Sequence, residues 1–138
     1  MEVDHLFVYG TLRPDLDAFA SGRLCNLPWQ RAITPGMLFD LGSYPAMVPT
    51  FAQAPAARVR GCLIGMIGLE SEQNALLESL DVYEGVAHGL YTREVIRTYP
   101  RSGGLVYAWA YLFARQIPTG SVLLASGDYS KVSEDATR

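Results

Sequence analysis

The sequence predicts an α+β fold, a closed or strongly curved sheet with one principal helix packed on it, and three observations carry that prediction. Short apolar and alternating segments, punctuated by Gly and Pro, recur along most of the 138 residues. Only one stretch, Ser71–Tyr83, carries a convincing helical stripe. Two longer alternating segments near the end flank a turn-rich Pro100-Arg101-Ser102-Gly103-Gly104, the pattern of a hairpin. Many strands with so little helix are best accommodated by a sheet that curls or closes.

Each element follows from local pattern. Asp4–Tyr9 is an apolar strand that runs into Gly10. Pro14–Gly22 suits a short helix, with Leu16, Phe19 and Ala20 on one face. Ile33–Leu41 reads as a strand interrupted at Pro35-Gly36. Tyr44–Pro49, bracketed by prolines, fits an edge strand because proline cannot donate to a ladder. Ala52–Ala57 is an Ala/Pro-rich surface loop. Val59–Leu69 is strongly apolar, and its Gly61, Gly65 and Gly68 imply bending or close backbone approach. In the helix, Ser71 is placed to cap, Leu76, Leu77 and Leu80 form the stripe, and Gly85 stops it. Tyr91–Tyr99 and Leu105–Phe113 make the hairpin. No repeat or composition shift divides residues 1–138, which read as one domain with a polar, frayed tail at 130–138.

Composition narrows the partners. The formal net charge is −3 and the pI about 5.3, and Arg and Lys are scattered, which argues against nucleic acid. Arg58/Arg60 and Arg93/Arg97 read as solvent faces of strands. The longest apolar run, Cys62–Leu69, is far below the roughly 20 residues needed to span a bilayer. The start, Met1-Glu2-Val3-Asp4, is acidic where a secretory signal needs positive charge. A cytoplasmic protein without membrane contact is the expectation, with Cys25 and Cys62 as free buried thiols. Oligomeric state is left open.

Several chemistries are excluded. Two histidines, His5 and His88, cannot build a three-histidine metal site, and their spacing with the two cysteines matches no zinc motif. No metal is expected. Neither a nucleophile elbow nor a phosphate-binding glycine loop occurs. A Cys62–His88 nucleophile pair is conceivable, but a thiol inside an apolar strand is raised in pKa and inert.

Two features remain. Where the first strand meets Gly10, bare backbone N–H groups can receive a carboxylate or an oxyanion, although a plain turn would look the same. Glu84 lies between Tyr83 and Gly85 at the helix end. Dry surroundings would raise its pKa toward the range useful for proton transfer; in solvent it would be an ordinary helix-end residue.

Taken together, Val8-Tyr9-Gly10-Thr11-Leu12-Arg13, Tyr44-Pro45-Ala46, Leu80-Asp81-Val82-Tyr83-Glu84-Gly85, Tyr91-Thr92-Arg93 and Gly127-Asp128-Tyr129 resemble the γ-glutamylcyclotransferase-like family, in its bacterial γ-glutamylamine cyclotransferase-like branch. The likeness runs in order over nearly the whole chain. Tyr129 departs mildly from the Trp often found there. The resemblance implies a small mixed β-barrel with peripheral helices. It also implies a reaction in which a γ-glutamyl amide or amine releases 5-oxoproline, as the substrate's own α-amine attacks its γ-carbonyl. By that resemblance Glu84 is the general acid/base, and Val8, Tyr9, Gly10, Thr11, Leu12 and Tyr91 hold the substrate. Tyr111 is carried over too, although Tyr107 in the same strand competes for the position.

Ring closure needs no nucleophile from the protein, and no cofactor is expected. The implied partner is a small γ-glutamyl compound. Its leaving amine is open, because the loops expected to meet it, Ala52–Arg58 and Ala87–Leu90, carry no readable code. The alternative is a non-catalytic small-molecule-binding or regulatory domain that uses the same pocket.

Overall fold

In the computed structural model, the described residues are 3–10, 12–15, 24, 26–49 and 56–129. Their strands are β1 (His5–Val8), β2 (Trp29–Pro35), β3 (Met37–Asp40), β4 (Pro45–Val48), β5 (Arg58–Gly65), β6 (Tyr91–Pro100), β7 (Val106–Phe113) and β8 (Val122–Leu123). Between β5 and β6 lie helix α1 (Glu70–Tyr83) and a 3-10 turn (Val86–His88). Five strands close a barrel in the order β1-β5-β2-β6-β7, and β4-β3-β8 form a second small sheet. The barrel is mixed: β1 runs parallel to β7, at Leu6 beside Trp109, and antiparallel to β5. This is the small α+β barrel fold expected from the strand-rich pattern.

Strand β1 is apolar on both faces because each face is buried against a different layer. Leu6 and Val8 join Cys62, Ile64, Leu77, Leu80, Tyr91 and Tyr111 in a core between barrel and helix. Phe7 and Tyr9 join Ala32, Val59, Leu63, Ala108, Ala110 and Leu112 in a second core. Small residues make room for the Phe7 ring. A Cβ on Gly61 would sit 2.3 Å from the Val8 carbonyl oxygen and 2.8 Å from Phe7, so this is the close approach expected of that glycine. Two hydroxyls fully inside are paired, Thr34 Oγ1 donating to the Arg97 carbonyl and Thr98 Oγ1 to the Val106 carbonyl, each at 2.7 Å.

Several boundaries differ from the sequence expectation. The Pro35-Gly36 interruption is a change of sheet, since β2 belongs to the barrel and β3 to the small sheet. Strand β4 is an edge strand as expected, yet all four of its residues are buried. Strand β5 stops at Gly65 rather than Leu69, because Gly68 at φ +99° turns the chain toward the helix. Ser71 does not cap α1. The helix starts one residue earlier, with Leu69 at the N-cap, and the Glu72 carboxylate accepts from the Leu69 N–H at 3.3 Å. Gly85 ends α1 in the left-handed region, at φ +67°. The helix expected over Pro14–Gly22 and the loop at Ala52–Ala57 fall largely outside the described residues, as does the tail at 130–138. No helix among the described residues is long and apolar enough to cross a membrane.

Candidate active site

The end of β1, the end of α1 and the β6–β7 hairpin meet around a cavity of about 270 Å³. Val8, Tyr9, Gly10, Leu12, Glu84, Tyr91 and Tyr111 all line it. These are the residues singled out from the sequence, apart from Thr11, which lies outside the described residues. Of the two competing tyrosines in β7, Tyr111 lines the cavity, whereas Tyr107 is 39% exposed on the far stretch of the strand. Tyr44, Tyr83 and Leu90 add to the wall, so the lining is mainly aromatic and apolar.

Glu84 arrives there through helical geometry. It lies seven residues beyond Leu77, whose side chain is buried with Leu80 against the barrel, so it continues the same stripe. Burial raises its carboxyl to a pKa of about 7. Its place at the C-terminal end of α1 opposes ionisation in the same sense. The two residues before it, Val82 and Tyr83, would be the nearest source of dry surroundings. They supply them only in part: Val82 faces solvent at 82% exposure and Tyr83 is half exposed, because helical spacing turns position 82 away from the barrel. The aromatic residues of β1, β6 and β7 supply the shelter instead.

Each cavity tyrosine is fixed by its hydroxyl. Tyr9 donates to the Tyr111 carbonyl at 2.5 Å, and Tyr91 donates to the Pro45 carbonyl at 2.5 Å. The Tyr91 ring stands edge-on to Tyr44 and Phe113, with centroids 6.3 and 5.7 Å away. Tyr111 donates to Asp81 Oδ1 at 2.7 Å. Burial pushes all three phenols up, and the nearby Glu84 adds to the rise in each.

The corner after β1 is held by a buried ion network. The Arg13 N–H closes the turn onto the Gly10 carbonyl at 3.1 Å. The Arg13 guanidinium makes a two-pronged contact with Asp15, at 2.9 and 2.6 Å, and a further bond to Asp128 at 2.7 Å. Burial works against the Arg13 charge, but Asp15 and Asp128 outweigh it and keep the group protonated. Burial likewise works against the Asp15 carboxylate, and the Arg13 hydrogen bonds outweigh it and lower its pKa. Cys62 donates its thiol to Asp15 Oδ1 at 3.2 Å, and burial followed by Asp15 pushes that thiol up to about 12. Cys62 is therefore buried and unreactive, as expected; Cys25 lies outside the described residues. His88 is exposed in the 3-10 turn, so it makes no pair with Cys62.

The glycine of the corner has a second duty that the sequence concealed. A Cβ on Gly10 would fall 2.6 Å from Pro45 Cγ, so Gly10 permits close packing of Tyr44-Pro45 as well as bare backbone. Asp81 and Arg93 were also missed as parts of the site. Asp81 accepts from Arg93 Nε at 2.8 Å and from Tyr111, while the Arg93 guanidinium lies 4.6 Å over the Trp109 ring. The available signal was a second carboxylate on the apolar stripe, four residues after Leu77. Among the described residues no three His, Cys, Asp or Glu side chains converge to hold a metal ion.

Comparison with known proteins agrees with the fold. Residues 6–131 match the sequence profile of the family described as gamma-glutamyl cyclotransferase, AIG2-like. No curated protein matches the chain. Among solved structures, YkqA from Bacillus subtilis is similar over 99% of this chain, with a TM-score of 0.69 and 21% identity. The match takes up 43% of the Bacillus protein, so this chain spans less than half its length. A solution structure from Arabidopsis thaliana is similar with a TM-score of 0.64 and 20% identity, covering 99% of this chain and 85% of that one. A gamma-glutamyl cyclotransferase is similar with a TM-score of 0.61 and 19% identity, covering 81% of this chain and 67% of that one. These likenesses share the fold, while the profile match covers nearly the whole sequence: the chain belongs to the gamma-glutamyl cyclotransferase, AIG2-like family.

Proposed function

We propose that the protein is a γ-glutamyl cyclotransferase that releases 5-oxoproline from a γ-glutamyl amide or amine, with Glu84 as the general acid/base. The observation that carries the reading is the position of Glu84, a carboxyl of pKa about 7 in the same cavity as the Gly10 corner. A pKa near neutrality suits a group that must take a proton and give it back. The cavity is a little smaller than the roughly 300–1,000 Å³ typical of drug-sized ligands, in keeping with a small metabolite.

The reaction balances without a cofactor. Glu84 takes a proton from the α-ammonium, and the freed nitrogen attacks the γ-carbonyl carbon. In the tetrahedral intermediate the ring nitrogen still carries two protons. Glu84 returns the first proton to the departing nitrogen as the γ C–N bond breaks. The second passes from the ring nitrogen to the released amine, which leaves as an ammonium, so that 5-oxoproline keeps one N–H. Backbone N–H groups of the corner around Gly10, Thr11 and Leu12 hold the α-carboxylate or the oxyanion. The walls contributed by Val8, Tyr9, Tyr91 and Tyr111 keep the substrate curled, and such pre-orientation is worth effective molarities of about 10⁵–10⁸ M.

The test is incubation with a panel of γ-glutamyl compounds bearing amino acid, polyamine, lysine side-chain and simple amine leaving groups, scored for 5-oxoproline. At least one member should be turned over, with the Glu84→Gln protein inactive on the same compound. Binding of γ-glutamyl compounds with no 5-oxoproline from any of them would favour a binding domain over an enzyme.

A further inference from the structure

The phenols of Tyr91 and Tyr111 both have their protons committed to groups that can only accept. The Tyr91 hydroxyl faces the Pro45 carbonyl. The Tyr111 hydroxyl has Asp81 Oδ1 at 2.7 Å and the Leu77 carbonyl at 3.4 Å. Arg93 Nε and Nη2 donate to the two oxygens of Asp81 at 2.8 and 3.2 Å. Arg93 is anchored in turn over Trp109. A phenol whose one proton is spent inside the protein offers only lone pairs to a ligand. Tyr9 differs: it donates to the Tyr111 carbonyl and is also engaged by the Met47 backbone, so its oxygen has little left to offer.

We propose that Asp81 is a positioning residue that turns Tyr111 into an acceptor, and that the oxygens of Tyr111 and Tyr91, with Glu84, form the seat of the substrate's α-ammonium. The inference rests on the γ-glutamyl reading and deepens it, because it assigns one wall of the cavity to one substrate group. Neither phenol can donate to the oxyanion or to the α-carboxylate while these bonds persist. Those anionic groups are left to the backbone of the Gly10 corner. An ammonium supplies three N–H donors and meets three acceptors. An analogue without the amine leaves two phenol oxygens and a carboxylate unpaired, and sites built to hydrogen-bond a group reject ligands lacking it.

The experiment measures equilibrium binding of L-glutamine and of glutaramate, its analogue lacking the α-amine, to the Glu84→Gln protein. That substitution stops turnover and removes the carboxylate's own pull on the ammonium, so any remaining preference for the amine reports the phenols. Glutamine should bind about tenfold or more tighter than glutaramate, the value of hydrogen bonds to a charged group. Adding Tyr111→Phe should shrink that ratio toward one while glutaramate affinity stays within about twofold. Adding Asp81→Leu should move the ratio in the same direction, because the phenol proton loses its short bond to Asp81 and keeps only the long contact to the Leu77 carbonyl, leaving it free to turn toward the cavity. If Asp81→Leu fails to fold, Tyr111→Phe, which keeps the ring, decides alone. An unchanged ratio, or an equal loss for both ligands, overturns the assignment. Equal binding of the two ligands before either change sinks the inference and spares the γ-glutamyl reading; no binding of either ligand sinks both.

Discussion

Glu84 sits in an environment that punishes its charge, and this has consequences for stability as well as chemistry. Its carboxyl titrates near 7 in the folded protein against 4.5 when unperturbed. Between those values the unfolded chain loses the proton while the folded chain keeps it, so stability falls as pH rises from about 4.5 and levels off above about 7. Glu84→Gln should therefore melt with the wild type at pH 4 and melt higher than it at pH 8, as thermal unfolding at the two pH values will check. For catalysis the sign reverses, because the base must be ionised to act. The value of kcat/KM should climb with pH along a limb whose midpoint is near 7. A flat profile between pH 5 and 8 would mean that another group accepts the proton. Glu84 and the Gly10 corner drew notice on their own residues, but a solvated helix end and a plain turn would look the same. The family resemblance singled them out, together with Tyr91 and Tyr111, and all four line the cavity. Asp81 was not singled out, since a carboxylate on a helix is usually a solvated one. Its meaning depends on Arg93 and Tyr111, which only the β6–β7 hairpin brings alongside α1.

The strap Leu12–Asp15 and the end of helix α1 both border the cavity. Arg13 is 4% exposed and bridges that strap to Asp128 near the chain's end. Replacing Arg13 with Met would leave the Asp15 and Asp128 carboxylates buried without their guanidinium. Loss of one partner from a buried ion pair costs about 3–5 kcal/mol, and denaturant unfolding should register a loss of that order. The neighbouring glycine serves the same join: a Cβ on Gly127 would lie 1.9 Å from the Arg58 carbonyl oxygen, so this residue brings Asp128 within reach of Arg13. Leu80 plays the corresponding part in α1, being fully buried between helix and barrel. Leu80→Ala should cost about 2–5 kcal/mol and lower activity as well, because the end of α1 carries Glu84. The existence of α1 was readable from Leu76, Leu77 and Leu80, but its start was not. Ser71 has the side chain of a good cap, yet Gly68 turns the chain early enough for Leu69 to take that position.

At the scale of the molecule, the barrel explains why the cavity sits at the end of its first strand. Strand β1 is hydrogen-bonded on both sides, to β5 and to β7, so the backbone that delivers Gly10 is held rigidly from either side. The helix then lies across β1, β5 and β7 and lays its carboxylates over the same end. The hairpin and the curled, strand-rich sheet were legible in the alternation and the turn residues, but the count was not. Six strands were expected and eight form among the described residues, since Ile33–Leu41 divides into β2 and β3 and the short β8 carries no pattern of its own. Closure was one of two alternatives left by the pattern, and the family resemblance supplied the barrel, because closure depends on the parallel contact between β1 and β7, the first and nearly the last strands, and local pattern carries no signal for a pairing so distant in sequence. The split at Pro35-Gly36 was hidden for a related reason. A Pro-Gly pair marks an interruption, but which sheet each half joins is decided by tertiary packing. The whole arrangement comes down to one carboxyl acting as proton carrier inside that cavity, and a direct measurement is available. Wild type and Glu84→Gln would be compared on a γ-glutamyl compound that the wild type cyclises, following both 5-oxoproline formation and ligand affinity. Turnover should fall by about 10²–10⁴-fold while the compound still binds, weakened only by loss of the carboxylate's pull on the ammonium, since Gln keeps size and hydrogen bonding but cannot take the proton. Turnover by Glu84→Gln at the wild-type rate would contradict that role for the carboxyl.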